Sequence, residues 1–198
     1  MAYEPLASDD TALNGVVIPD RYIARVVPAG AAGIDPFILG IFAWALLGFA
    51  NVYHGLAQRA LALVVESVKK KSSIALSRSM AYHPGVQHTV AEMVIELEGI
   101  GPQLDHVATD WAQGVNHGAN WILKIFAAKY RAVEAAWRVI DRALDIAGGF
   151  GIFRASPFEQ LFRDGRIGRL HPANAMLTHE ICGKLALGIN PDEQPRWG

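Results

Sequence analysis

Three stretches of this chain, each about 30 residues long, carry apolar residues at helical spacing, and they account for nearly half of its 198 residues. The first opens at Asp35-Pro36, an N-cap followed by proline at the first helical position, and its pattern holds to about Lys71. Lys69-Lys70-Lys71 closes it, where cations oppose the helix dipole. The second opens at Pro84 and runs to about Gly114, with Val86, Val90, Met93, Val94 and Leu97 on one stripe. Ile100, Leu104 and Val107 carry that stripe past Gly99 and Pro102, where a kink is expected. The third runs from about Asn120 to Ala147 through Ile122, Ile125, Ala128, Val133, Trp137, Ile140 and Leu144. Ser156-Pro157-Phe158-Glu159 reads as a capping box that opens a short helix, and a last helix covers roughly Ala173 to Leu187. Each long helix is roughly 45 Å in length. Short connections between such helices predict an all-α fold, an antiparallel up-and-down bundle of three long and two shorter helices.

Residues 1–34 stand apart from the bundle of 35–198. Asp9-Asp10, Asn14-Gly15, Pro19-Asp20 and the glycines between 30 and 33 punctuate them. Val16-Val17-Ile18 and Tyr22-Ile23 are β-prone. One or two strands or an extended arm are predicted there, and no helix. Two strands alone are marginal in water, so the segment reads as a short β remnant at the N-terminus.

With 52% hydrophobic residues, the chain can bury one sizeable core. Its 18 basic residues against 19 acidic ones give no electrostatic footprint for nucleic acid. The single cysteine, Cys182, excludes an internal disulfide and a paired-cysteine metal site and suits a reducing compartment. No basic segment followed by an apolar core marks a signal peptide, and a cytoplasmic location is expected. Phe37 to Ala50 is almost wholly apolar, but at about 14 residues it falls short of the roughly 20 that span a bilayer. No membrane span is expected. A helix apolar on most sides is covered on most sides, which predicts a central position or an oligomer interface.

The seven histidines do not form the paired spacing with glutamate that marks a helical zinc site, so no metal is expected. Glu92 and Glu96 share one helix face but lack the histidines of a di-iron bundle; they read as solvated carboxylates. No nucleophile elbow and no phosphate loop is present.

The most telling segment is 143–171. A helix runs into Gly148-Gly149-Phe150-Gly151; a capped helix follows, then Arg163-Asp164-Gly165-Arg166 and Leu170-His171-Pro172. Glycine lets backbone approach a ligand or another chain closely. With Gly55-Leu-Ala-Gln-Arg-Ala-Leu61 on the first helix, these segments resemble the C-terminal helical domain of the acyl-CoA dehydrogenase family, over about residues 36–190. Val16-Val-Ile-Pro-Asp20 is similar to the close of that family's middle β-domain. The resemblance implies an FAD-dependent oxidoreductase, with FMN as the alternative cofactor. It also implies an acyl-CoA or related small-molecule substrate. Such enzymes pass an α-proton to a base and a β-hydride to the flavin. It further implies a homo-oligomer, or a partner chain carrying the missing domains, with this bundle at the oligomer core. The implied cofactor-binding residues are Gly148, Gly149, Phe150 and Gly151, touching a neighbouring subunit's FAD. Lys71 stands where the family's flavin-phosphate arginine falls, and Asp145 stands where a glutamine often precedes the double glycine.

The catalytic glutamate of that family aligns near Pro172, and its alternative position on the first long helix near Ala45. Neither residue can take a proton. His171 is then the expected catalytic residue, against the plainer reading that it caps the last helix. Leu170-His171-Pro172 also resembles the Leu-His-Asp-Pro motif of flavin-dependent monooxygenases on the same fold, which is the alternative activity. A third reading is a non-catalytic half-subunit that completes a partner's site.

Overall fold

Asp35 starts the bundle. Its side chain accepts hydrogen bonds from Phe37 N at 2.9 Å and Ile38 N at 3.3 Å, and Arg25 pairs with it from the preceding segment. In this computed structural model residues 11–26, 35–72, 77–191 and 193 are described. Asp9-Asp10, the glycines at 30–33, residues 73–75 after Lys71 and the last residues of the tail lie outside the described residues.

The helices are α1 (Pro36–Lys70), α2 (Pro84–Ala112), α3 (Asn120–Ala147), α4 (Pro157–Ile167) and α5 (Ala175–Ala186). Short 3-10 turns occupy Asp20–Tyr22, Met80–Tyr82 and Gly148–Ile152. Lys71, just after α1, reaches the carbonyl of Ala147 at the end of α3 at 3.2 Å. The C-terminal ends of α1 and α3 therefore coincide, and α2 returns between them, up, down and up. α2 runs through Pro102 without interruption.

The expectation of all-α architecture holds. Among the described residues there is no strand; Val16, Val17 and Ile18 are exposed, and Asp20–Tyr22 forms a 3-10 turn. α5 starts two residues later than its apolar pattern suggests. Ala173 has φ 59°, so the helix cannot begin there, and Asn174 caps it through Leu177 N. The capping box at Ser156 is half formed: Ser156 Oγ accepts from Phe158 N, while Glu159 turns forward to Arg163.

The central helix is α3, not α1. It packs on α1, α2, α4 and α5, and small residues let the chains approach closely. Ala43, Ala50, Ala57 and Ala60 of α1 and Ala128, Ala132, Ala135 and Ala136 of α3 are all buried. Ile125 and Val139 fill the two halves of the core. The apolar start of α1 is buried on one face only, through Ala43, Leu46, Leu47 and Ala50; its other face leaves Phe37, Ile41 and Trp44 exposed, Trp44 by 76%. This corrects the expectation of cover on most sides to a single face within the chain. An 18-residue window of α1 reaches a mean hydropathy of 1.7. By length and composition α1 therefore passes as a membrane span, so the argument from a short apolar run is not confirmed. Its alanine face packed on α3 also fits a core helix.

Candidate functional site

Two separate groups of side chains emerge. The first surrounds His171. Between α4 and α5 the chain turns through Gly168 to Asn174, and the His171 ring stacks on Phe49 of α1 with centroids 4.6 Å apart and planes at 25°. Tyr53, one turn further along α1, meets the same ring edge-on at 6.2 Å. Phe49 and Tyr53 are four apart, so they share a helix face. Of the two positions where the resemblance would place a carboxylate, Pro172 follows His171 in the chain and Ala45 lies one turn before Phe49. Burial, and then the charge of Lys129, hold the imidazole below the usual histidine range. It is neutral at pH 7 and able to accept a proton. Burial first, then Asp164, holds the Tyr53 phenol above its ordinary range, so it stays protonated. Asn174, not His171, caps α5. The helix-capping reading of His171 is therefore set aside.

Sequence reasoning passed over Lys129. It is buried in α3 and donates to the carbonyls of Gly168 at 3.3 Å and Ala173 at 3.1 Å. A signal existed: Ile125, Lys129 and Val133 fall four apart on one apolar stripe, where a lysine is out of place. Burial lowers its affinity for the proton, opposed by Glu134.

The second group lies where α1 and α3 end. Lys71 Nζ, besides its bond to Ala147, sits 5.6 Å from the centre of the Phe150 ring. The sequence-predicted cofactor residues Lys71, Gly148, Gly149, Phe150 and Gly151 are brought together here, with Asp145 exposed on the last turn of α3. The glycines do different work. Gly148 has φ 67° and ψ −159°, a region essentially closed to other residues. Gly151 packs internally, since a Cβ would lie 2.7 Å from Leu144 Cδ1. Gly149 has nothing within 4 Å of where its Cβ would be, and Phe150 beside it is 75% exposed. Gly148 and Gly149 are both exposed with open space where a Cβ would be, so the turn offers open backbone to a ligand at these two residues. Gly148→Ala is expected to cost of order 1–3 kcal/mol in stability, and Gly149→Ala to leave it unchanged. Denaturant unfolding of both variants checks the contrast, and equal losses would contradict it.

Phe49 and Lys71 lie roughly 33 Å apart along α1, so the two groups cannot meet in one chain. The Arg163-Asp164-Gly165-Arg166 box lies on α4 with only Gly165 buried, against Ile140, and with the exposed Arg166 over Trp137. Glu92 and Glu96 are not simply solvated carboxylates: Arg138 binds Glu96 through two bonds of 2.6 and 2.8 Å, and Arg142 reaches both glutamates. Among the described residues no three His, Cys, Asp or Glu side chains gather as a metal site. A groove of about 740 Å³ between α1 and α2, around His54, Gln58 and Glu98, contains none of the predicted site residues.

The profile of the family "Acyl-CoA dehydrogenase, C-terminal domain" matches residues 47–175. YdbM of Bacillus subtilis is 28% identical over 186 residues, covering 93% of this chain and 46% of that one. Acyl-CoA dehydrogenase FadE12 of Mycobacterium tuberculosis is 26% identical over 164 residues, 83% of this chain and 41% of its own. The butyryl-CoA dehydrogenase of Megasphaera elsdenii has the same fold over 75% of this chain and 37% of its own, with a TM-score of 0.69 at 21% identity. The chain spans less than half the length of the relatives it matches.

Proposed function

The chain belongs to the acyl-CoA dehydrogenase family, as its C-terminal helical domain, and on that premise we propose that it is the helical part of an FAD-dependent oxidoreductase that dehydrogenates an acyl thioester, forming the oligomer core and part of the flavin site. Members of this family are flavoproteins. The observation that carries the reading is the exposed cradle at the ends of α1 and α3. There open backbone at Gly149, the Phe150 ring and the Lys71 cation converge. These residues fit a flavin dinucleotide. Bare backbone admits its close approach, the ring offers a stacking face, and the ammonium complements a phosphate. Lysine keeps charge there without the planar fork of arginine. When bound, the flavin accepts the hydride.

The chain's own residues do the rest. Lys71 and the glycine turn orient the dinucleotide. The distance from this cradle to His171 supports a site shared between subunits, with the turn serving a neighbour's cofactor. At the other group, a neutral His171 takes the α-proton on a ring nitrogen. Phe49 shields one face of the ring from water. A second reading, the half-subunit that completes a partner's site, is favoured by the absence of a titratable group at both Ala45 and Pro172.

A flavin titration tests the shared site. The chain alone is expected to bind FAD weakly or not at all, and to retain it when a chain carrying the other family domains is present. Stoichiometric flavin on the isolated chain after desalting would contradict this.

A further inference from the structure

The loop that carries His171 is held from inside the bundle. Lys129, in the first half of α3, is 1% exposed. Burying an ammonium is costly unless it is hydrogen-bonded, and its partners here are the carbonyls of Gly168 and Ala173. Those two residues bracket the segment 169–172. We infer that Lys129 is the positioning residue of His171: by tying both ends of this loop to α3, it fixes the imidazole against Phe49. Other contacts converge on the same points. Thr178 Oγ1 donates to the Ala173 carbonyl at 3.1 Å. Ala173 is held at φ 59° without being glycine. Gly168 lies so close to α1 that a Cβ would sit 2.7 Å from the Tyr53 ring.

The ionisable groups that face the imidazole are Tyr53 on α1, on which Asp164 of α4 acts, and Lys129 on α3, on which Glu134 acts. Arg169 in the loop is paired with Glu134, and α5 faces the loop with the neutral Thr178. Lys129 is the cation among them that acts on the ring. Holding it in place therefore sets where the imidazole sits, and its charge adds to burial, the larger cause, in disfavouring the protonated ring.

The catalytic weight of this clamp rests on the reading of His171 as the proton acceptor, but the clamp is tested apart from it. The full chain, labelled with ¹³C-histidine, is followed by NMR through a pH titration. In the wild type the His171 ring protons should be shifted upfield by the Phe49 stack and titrate below free histidine. In Lys129→Met the upfield shift should be lost and the titration should move toward free histidine, with helical content retained. Lys129→Gln, polar but too short to span both carbonyls, is read the same way if the methionine variant does not fold. An unmoved ring and an unchanged titration in a folded variant would overturn the proposal. So would a wild-type ring that is unshifted and titrates as free histidine. A displaced ring in Lys129→Met beside a normal rate of flavin reduction in His171→Ala would uphold the clamp and sink the base assignment. A ring that stays put while His171→Ala loses that rate would uphold the base and overturn the clamp.

Discussion

His171→Ala should lower the rate at which an acyl-CoA reduces the flavin by about 10²–10⁴-fold, the usual contribution of a general base. The flavin itself should stay bound. The size of the effect follows from what surrounds the ring. Ala45 and Pro172 have no titratable group, and Tyr53 keeps its proton. Among the described residues around the stacked imidazole, no other group near neutrality is placed to take the α-proton. The Lys71 and Phe150 group proposed to hold the flavin lies roughly 33 Å away along α1, so its contacts are untouched by the substitution. Stopped-flow absorbance on a flavin-loaded assembly with the other domains present measures the rate. A change within about twofold would leave the base to another chain, which is the half-subunit reading.

Trp44→Ala should weaken self-association by about 2 kcal/mol or more, roughly 30-fold. Phe37, Ile41 and Trp44 form one exposed ridge at helical spacing. Gly48 continues it with open space where its Cβ would be, so a neighbouring helix can come close. Contiguous exposed apolar surface of this kind marks an interaction site, and buried tryptophans dominate such interfaces. Core residues are untouched, so the fold should keep its helicity. Sedimentation or light scattering across micromolar concentrations decides the matter. A well-folded wild-type monomer, or a variant that associates as tightly as wild type, would contradict it.

How much of this was legible in the sequence varied with the range of the interactions concerned. Helix starts were readable because caps are local: Asp35-Pro36 and Ser156-Pro157 each carry their own signal. The start of α5 was misplaced because the apolar pattern does not reveal that Ala173 adopts a positive φ. The gathering of Lys71 with the glycine turn could be anticipated only through the resemblance, since the two are far apart in sequence and meet by way of α1 and α3 lying side by side. The pairing of Glu96 with Arg138 is likewise a matter of cross-helix register. Lys129 was readable in principle, as a charge on an apolar stripe, yet its partners are backbone carbonyls, which no side-chain pattern announces. The stacking of His171 on Phe49 belongs to the same class, for it depends on how a loop folds back onto α1.

The central claim is that this bundle serves acyl-thioester dehydrogenation, and anaerobic mixing tests it most directly. A wild-type, flavin-loaded assembly containing this chain and the other family domains is mixed with a panel of acyl-CoA thioesters while the oxidised flavin absorbance is recorded. The account predicts bleaching by at least one thioester, with one equivalent of α,β-unsaturated product for each flavin reduced. No bleaching by any thioester, together with oxygen-dependent hydroxylation of a substrate once the flavin is reduced by another donor, would contradict it and give the chain to the monooxygenases of the same fold.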